Sequence, residues 1–425
     1  MKKFIRYLLL PIAILLAYVF PAHAQSDVLS TAVFNPDFRT LKVVNPDNFM
    51  AIPVIRLNSD DHLLFSFDEL ADDYSLLEYR ILHCNADWTR SSLADAEFLP
   101  RFNSAKIDDY GFSSNTFVHY VNYHITIPND EITPLVSGNY ILQVYPESDP
   151  DDIILQARFC VSENSAAVTG SASGRTDRVT NDNLQQIEFS VSTPTMQIRD
   201  PYTELFAIVE QNSDPNSTRI IRNPLRVSGD KIVYEHNPQL IFPAGNEFRR
   251  FETVRLNYPG LNVDSVRFGD NNYIAYVTPS VQRASRQYLF DSTQKGRFIV
   301  REANATDSDL GADYVTVCFA LNSDQYTNAD VYVQGEFSNY SFSDRYKMRY
   351  NSAKHRYELE IPLKQGSYNY RFVALPHGQS TFAGFNPIEG DFYETLNEYT
   401  VKIFYKTPGA RTDRLIAVSS FVAQP

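Results

Sequence analysis

Short runs of alternating apolar and polar residues are the feature of this sequence that most restricts its fold. The runs are rich in Val, Ile, Thr, Tyr and Phe, and turn-forming Asn, Asp, Gly, Ser or Pro residues separate them. A period of two favours half-buried strands, and many short strands joined by such turns are typical of β-sandwiches. The clearest runs are HLLFSFDEL (62–70), LEYRILHC (77–84), NYILQVY (139–145), ADVYVQGEF (329–337), HRYELEIPL (355–363) and SYNYRFVAL (367–375). The sequence therefore predicts an all-β protein made of tandem immunoglobulin-like or early-set β-sandwich domains with little helix.

Helical periodicity is scarce, and one short segment shows it. In SSLADAEFLP (91–100), Ser92 is placed to act as the N-cap, Asp95 follows three residues later, and Pro100 would end the helix. The pattern predicts a helix of two turns at most.

The first residues have the composition of an export signal. Three basic residues lie within the first six, residues 7–20 are apolar, and Ala22-His23-Ala24 forms a small-x-small cleavage site. The alternative is a membrane anchor, but a spanning helix needs about 20 apolar residues, and Pro11 and Pro21 shorten this run. We therefore expect a cleavable signal peptide over residues 1–24 and an exported mature protein.

Two segments of low hydrophobicity divide the chain. Residues 162–177 and 301–313 are rich in Ser, Gly, Ala and Asp and lack periodicity, which is typical of linkers or long loops. They predict an N-terminal β-sandwich domain over 26–162, a middle β domain over 178–300 and a C-terminal early-set-like sandwich over 314–425.

The charge of the chain is acidic. The formal net charge is −13, and the predicted signal carries three basic residues and no acidic one, so the mature chain would stand at −13 − 3 = −16. Phosphate affinity needs clustered Lys and Arg. The balance argues against a nucleic-acid partner and against binding to an anionic membrane surface, and it fits a soluble protein.

The cysteine count excludes a disulfide framework. The chain has three cysteines, Cys84, Cys160 and Cys318, and each lies in an apolar run. Cys84 and Cys160 could pair within the first predicted domain. Alternatively, all three are buried free thiols, because free Cys behaves as a small hydrophobe. The sequence leaves both possibilities open.

The densest group of reactive residue types is HCNADW, residues 83–88. In a strand, His83 and Cys84 point to opposite faces, so they cannot share one metal ion or act as a base and nucleophile. His119 and His124 are five residues apart and would also face opposite ways. No CxxC, HExxH or GxSxG motif is present. Hydrolysis by paired carboxylates stays open because 51 acidic residues offer many pairs. We expect no catalytic, cofactor-binding or metal-binding residue.

An architectural interpretation fits this segment better. Asn85 and Asp87 can close a turn through their side chains, and Trp88 can pack on the domain. The chain also has two Gly-x-Tyr turns, which contain Tyr140 and Tyr368. In immunoglobulin-like sandwiches the hydroxyl of such a Tyr bonds back to the backbone and fixes a corner. We therefore interpret His83, Cys84 and these residues as a structural signature.

Several of these segments resemble the Plug proteins of the type IX secretion system of Bacteroidota. HC-[ND]-ADW is the most specific element, and Lys-Gln-Gly-x-Tyr-Asn-Tyr is the next. Tyr340 and Ser367 depart from the family, which often has Trp at the first position and an aromatic residue at the second. The matching segments run in the family's order over essentially the whole mature chain: FDELADDYSLLEYRILHCNADWTRSSLADAEFL (67–99), NTFVHYVNYHITIPND (115–130), SGNYILQVY (137–145), GNEFRRFETVRL (245–256), ADYVTVCFAL (312–321), ADVYVQGEFSNY (329–340) and LKQGSYNYRF (363–372).

The resemblance implies a periplasmic protein of β-sandwich domains without enzymatic activity or cofactor. Such proteins bind the periplasmic mouth of the outer-membrane translocon barrel and close it while it is empty of substrate. A second interpretation comes from the C-terminal block, which also resembles glycogen-binding early-set sandwiches. Those bind sugars through exposed aromatic residues, and Tyr340 stands where their Trp would be.

Overall fold

A computed structural model describes residues 28–178, 183–382 and 384–424. The predicted signal peptide lies outside the described residues. No helix within these ranges combines the length and the apolar character that crossing a bilayer requires.

The described chain is built almost entirely of strands. Those of the first part are β1 (Ala32–Val33), β2 (Phe38–Val44), β3 (Val54–Arg56), β4 (Leu63–Glu69), β5 (Leu77–Cys84), β6 (Ala105–Lys106), β7 (Tyr110–Phe112), β8 (Val121–Ile127), β9 (Gly138–Pro146) and β10 (Leu155–Ser162). Next come β11 (Ala167–Ser173), β12 (Leu184–Ser192), β13 (Leu205–Gln211), β14 (Arg219–Ile221), β15 (Arg226–Ser228), β16 (Lys231–Tyr234) and β17 (Ile241–Pro243). These are followed by β18 (Arg249–Glu252), β19 (Val263–Gly269), β20 (Asn272–Val277), β21 (Ser280–Val281), β22 (Phe298–Val300), β23 (Tyr314–Asn322), β24 (Ala329–Gln334), β25 (Arg349–Asn351), β26 (Arg356–Lys364) and β27 (Gly366–Pro376). The last strands are β28 (Glu398–Tyr405) and β29 (Arg414–Val422). The short α-helices are α1 (Asp95–Phe98), α2 (Pro201–Glu204) and α3 (Ser308–Gly311).

The first sandwich, strands β1–β10, consists of two sheets. One has the order β1-β10-β9-β5-β6, with β3 beside β10, and the other has the order β2-β4-β8-β7. Phe65 and Phe67 of β4 and Tyr140 and Leu142 of β9 meet between the sheets. Ile141 of β9 belongs to a different apolar cluster on the outer face. Strand β9 is thus buried on both faces, which explains why Tyr140, Ile141 and Leu142 are consecutive apolar residues.

The other two sandwiches are nested rather than consecutive. The middle sandwich joins the sheets β11-β12-β16-β15, with β17 beside β12, and β14-β13-β28-β29. The third sandwich joins β18-β27-β22, with β24 beside β27, and β19-β20-β23-β26-β25, with β21 beside β23. Its strands lie in sequence between β17 and β28 of the middle sandwich. The all-β sandwich fold class is confirmed, but the sandwiches are not strictly tandem.

This nesting corrects the predicted domain ranges. The core of the middle sandwich combines residues from 166–242 with residues from 399–423, and the core of the third runs from 251 to 388. The predicted ranges 178–300 and 314–425 cut through both cores. The physical reason is that β13, within the first of these ranges, pairs along its whole length with β28, within the second.

Two local predictions also need correction. Residues 162–177 were expected to form a linker or loop, but 167–173 form β11, an edge strand whose outward side is exposed and so carries polar and small residues. The predicted helix starts later, because Ala94 is its N-cap and the Glu97 carboxylate accepts the Ala94 N–H at 2.8 Å. The Ser92 carbonyl instead accepts a hydrogen bond from Arg411 of the middle sandwich.

Both Gly-x-Tyr turns have the geometry that their sequences suggest. The Tyr140 hydroxyl donates to the Val136 carbonyl at 2.7 Å, and the Tyr368 hydroxyl donates to the Lys364 carbonyl. In each case the acceptor lies four residues upstream. The two bonds fix corners in the first and third sandwiches.

Candidate functional site

The HCNADW segment begins inside the first sandwich. His83 is buried, and its Nε2 lies 3.2 Å from the Ser137 carbonyl oxygen. Its ring meets the ring of Tyr140 edge to face at 4.9 Å between centroids. Gly138 makes room for this ring, because a Cβ there would lie 2.6 Å from Nε2. Burial lowers the pKa of His83, so the imidazole is a neutral core group.

Cys84 points to the opposite face, and it cannot be bonded to Cys160. Cys84 pairs with Asn139 on β9, and Asn139 pairs with Cys160 on β10. The cysteines are therefore two strands apart, about 9.6 Å, whereas a disulfide needs Cα atoms within about 7 Å. All three cysteines are free. Burial raises the pKa of Cys84 to about 12 and also raises that of Cys160, which keeps both thiols protonated.

A tight turn follows the strand. The Asp87 carboxylate accepts the Thr89 N–H at 3.0 Å, and the Trp88 N–H donates to the Asn85 carbonyl at 2.9 Å. The Ala86 N–H donates at 3.0 Å to the carboxylate of Asp413, which belongs to the middle sandwich. The turn thus joins two sandwiches through its backbone.

Trp88 is placed by this turn at the junction of the first and middle sandwiches. Its backbone has a φ of +66°, in the left-handed region, and its side chain is buried. Its ring lies 4.4 Å from the Arg158 guanidinium carbon. One apolar cluster at this junction contains Leu82, Cys84, Ala86, Trp88, Ile141, Cys160, Phe206, Ile208, Phe404 and Leu415. We call this cluster the apolar junction.

A second junction joins the first and third sandwiches through polar contacts. Lys364 Nζ lies 2.9 and 3.0 Å from the two carboxylate oxygens of Asp68, and the side chains are 1% and 0% exposed. The Tyr314 hydroxyl donates to Asp68 at 2.6 Å, and the Lys364 ammonium lies 3.9 Å from the centre of the Tyr120 ring. Beside them, Lys42 pairs with Asp309 at 2.6 Å. We call this group the polar junction.

A cavity of about 380 Å³ lies where the three sandwiches meet. Trp88 and Arg158 line it from the first sandwich, Glu210 and Lys402 from the middle one, and Glu336 from the third. Lys402 and Glu210 form an ion pair at 2.9 Å. Because the wall carries acidic and basic side chains in equal number, the cavity offers no concentrated charge of one sign.

A group of possible metal ligands lies elsewhere, on the middle sandwich. Among the described residues, Asp177, Glu188 and His236 bring their ligand atoms within 4.8 Å of one another. His236 Nδ1 lies 3.0 Å from one Asp177 oxygen, and Gln186 Nε2 donates to the other at 2.6 Å. The bond to Asp177 raises the pKa of His236. These bonds use the atoms that a cation would need. The expectation of no metal site stays a prediction.

The residues of the polar junction were missed at the sequence level. Asp68 lies in a strand whose Phe65 and Phe67 face the core, so the alternation places its carboxylate on the outer face. An Asp on the outer face of a sheet is normally exposed to solvent. Nothing in the sequence signals that the third sandwich, through Lys364, covers this face.

The comparisons with known proteins agree with this architecture. The sequence model described as "Type 9 secretion system plug protein 1st domain" matches residues 38–163, which contain strands β2–β10 of the first sandwich. The crystal structure of a hypothetical protein from Parabacteroides merdae ATCC 43184 is 37% identical, with a TM-score of 0.90, and the match covers 92% of this chain and 99% of that one. A biofilm-associated protein BSP domain matches at 7% identity over 94% of this chain and 61% of that one, but its TM-score of 0.18 supports no structural argument. No curated protein matches the sequence.

The first of these relatives shares the fold over nearly its full length, and the match to the plug-protein domain covers the sandwich that carries the HCNADW segment. The chain belongs to the type 9 secretion system plug protein family.

Proposed function

We propose that this protein is a non-enzymatic periplasmic component of the type IX secretion system that binds the periplasmic opening of the outer-membrane translocon barrel. It closes the channel while no substrate is engaged. The observation that carries the proposal is the match of the plug-protein domain to residues 38–163. The family itself establishes an association with type 9 secretion, and the contact with the barrel is the step that we add.

The way the sandwiches are joined supports a closing function. A body that blocks a channel must keep its shape under the forces that act across the opening. Here the first sandwich is joined to the middle one through the apolar junction and to the third through the buried pair Asp68–Lys364. The Glu163–Arg414 ion pair adds a further link between the first and middle sandwiches. These contacts favour one rigid body over three sandwiches that move independently.

The state of the reactive residue types supports a non-enzymatic function. A nucleophile needs a lowered pKa or a base within hydrogen-bond reach. Burial acts in the opposite direction on Cys84 and Cys160, and Cys160 Sγ donates to the Asn139 side-chain oxygen at 3.2 Å. His83 is bonded to a backbone carbonyl inside the core. These groups stabilise the sandwich instead of facing a substrate.

Carbohydrate binding through the third sandwich is less well supported. A sugar platform needs an exposed aromatic face. Tyr340, the residue at the platform position, is only 6% exposed. Its hydroxyl donates to the Asn212 carbonyl at 3.3 Å, and its ring lies 5.8 Å from the Arg371 guanidinium carbon. The ring fills a contact between the middle and third sandwiches and offers no free face.

The direct test is purification of the translocon barrel from cells with and without this protein. We expect the full chain to co-purify with barrels that contain no substrate. Deletion should raise dye or ion leakage through the barrel, and adding back the purified protein should lower it. Failure to co-purify, together with unchanged leakage, would contradict the proposal. A glycan array probed with the same protein should show no binding above background.

A further inference from the structure

A cluster of three aromatic rings, two of them half exposed, lies where the first sandwich meets the tip of the β19–β20 hairpin. The ring of Phe117 lies 4.7 Å from that of Phe268 and 5.6 Å from that of Tyr273, and the last two are 4.9 Å apart. Phe117 is 54% exposed and Phe268 is 50% exposed. We call these three residues the aromatic surface. Clustered aromatic rings that remain half exposed are typical of protein–protein contacts.

The structure holds this surface in a fixed position. Asp270 and Asn271 both have positive φ angles, 52° and 56°, which give the tight turn that matches the twist of a two-stranded hairpin. The N–H groups of Phe117 and Val118 donate at 2.8 and 3.0 Å to the carboxylate of Asp313 in the third sandwich. Two sandwiches therefore build the surface together, and a partner would find it preorganised.

The backbone beside the rings is an open sheet edge. Strand β19 is the outermost strand of its sheet and pairs only with β20 among the described residues. Gly269 and Asn272 flank the two-residue turn, so they form a hydrogen-bonded pair, and bonding alternates from there. Consequently the backbone groups of Phe268 and Val266 point away from β20 and stay available to another strand.

A groove of about 720 Å³ lies beside the aromatic surface. Phe117 and Tyr273 form part of its wall, and Leu256 and Leu310 add apolar contacts. Rings for side-chain contact, a groove and unpaired backbone groups occur together in β-strand addition, in which an extended segment joins a sheet edge. The register shift between Val263 and Ser265 ends the regular ladder and limits the available edge to the tip half of β19.

We propose that the aromatic surface and the tip half of β19 form the docking site for an extended segment of the translocon barrel that faces the periplasm. The inference rests on the proposed function and names the face that makes the contact. The segment adds as a strand along Val266–Phe268 and places an apolar side chain against Phe117, Phe268 and Tyr273. The open edge favours an extended segment because a helix cannot pair with exposed strand N–H and C=O groups.

The first test removes the rings from the full-length protein. The variant Phe117→Ser/Phe268→Ser should lower the recovery of the co-purifying barrel about tenfold or more, the loss expected when central interface aromatic residues are truncated. The matched control is Phe102→Ser, because Phe102 is 92% exposed and makes no aromatic contact with the three rings. Phe102→Ser should leave recovery at the wild-type value.

The second test separates strand addition from ring contact alone. Val266→Pro removes the outward N–H, which an edge strand tolerates without loss of its internal ladder. Val266→Ala removes a similar amount of side chain but keeps the N–H. We expect Val266→Pro to lose most barrel binding and Val266→Ala to keep it. A photo-crosslinking residue at position 268 should capture the barrel, and one at position 102 should not.

Four outcomes would overturn the inference while the proposed function stands. They are barrel recovery by the double variant at the wild-type value, equal loss with Phe102→Ser, equal binding by the two Val266 variants, and no crosslink from position 268. Thermal unfolding of each variant separates lost binding from lost folding, and the crosslink on the otherwise intact chain covers a variant that unfolds. If the wild-type protein itself recovers no barrel, the proposed function fails, and this inference fails with it.

Discussion

The first sandwich meets its two neighbours through surfaces of different chemistry. Against the middle sandwich it presents the apolar junction, in which Trp88 and Ile141 meet Phe206 and Phe404. Against the third it presents the polar junction, in which Asp68 accepts hydrogen bonds from Tyr314 and Lys364. Apolar contact stabilises in proportion to area and tolerates small shifts. A buried ion pair tolerates none, because a displaced charge loses its partner and stays out of water. The apolar junction therefore supplies stability, and the polar junction fixes the orientation of the third sandwich.

The largest effect should follow from breaking the polar junction. Lys364→Ala leaves the Asp68 carboxylate buried without its cation, which should lower the free energy of unfolding by about 3–5 kcal/mol. Denaturant titration measures this. Lys106→Ala removes an exposed ion pair with Glu147 and should leave the free energy unchanged. An equal, small effect of both variants would show that the buried pair does not hold the junction.

Truncation of Trp88 should weaken the apolar junction somewhat less. Trp88→Ala should cost about 3 kcal/mol, near the lower end for a buried aromatic ring, because one side of the ring lines the central cavity. Trp88→Phe should recover part of the loss, since it keeps a ring against Arg158. Unchanged thermal stability of Trp88→Ala would mean that the HCNADW segment does not stabilise this junction.

The polar junction should respond to acid through the carboxylate of Asp309. Burial opposes ionisation of Asp309, but the Lys42 ammonium still lowers its pKa below the ordinary 3.8. A lowered pKa means that the ionised form stabilises the fold above pH 3.8 and that this contribution is lost as the pH falls below it. Asp309→Asn should therefore cost about 2 kcal/mol at pH 7. The difference from wild type should shrink at pH 3, as measured by denaturant titration at both values. A difference that grows at low pH would contradict the pairing.

The smallest effect concerns the cysteines of the apolar junction. Because Cys84 and Cys160 are free and buried, reduction should leave the intact mass unchanged, and neither thiol should react with Ellman's reagent before the protein unfolds. All three thiols should react in denaturant. A mass increase of two hydrogens on reduction would contradict the two-strand separation of these residues.

The sequence predicted what depends on local pattern. Alternation identified the strands around Phe65, Tyr140 and Tyr368, and the opposite orientations of His83 and Cys84 followed from strand geometry alone. Family-specific strings then indicated plug proteins. These predictions need only neighbouring residues, so one sequence is sufficient for them.

The sequence could not predict how the sandwiches are joined. The pairing of β13 with β28 and the contact of Asp68 with Lys364 connect residues far apart in the chain, and neither contact leaves a local pattern. Trp88 was expected to pack on its own domain, but its ring lies at the boundary with the middle sandwich. Likewise the aromatic surface needs Phe117 from one sandwich and Phe268 from another, and only the fold brings them together.

The insertion of the third sandwich into the middle one has a consequence for the order of folding. One sheet of the middle sandwich needs β28 and β29, which follow all the strands of the third sandwich in the chain. Closing a long chain before its interior has folded costs entropy and slows assembly. Gln211 Nε2 donates to the Pro243 carbonyl at 3.0 Å, and the Asn212 N–H donates to the Glu398 carbonyl at 2.7 Å. The points where the chain leaves the middle sandwich, after β17, and returns to it, at β28, therefore lie side by side. If the third sandwich folds first, it brings the end of β17 and the start of β28 together. The pairing of β28 with β13 then requires closure of only a short loop. We therefore expect the folded third sandwich to speed the assembly of the middle one.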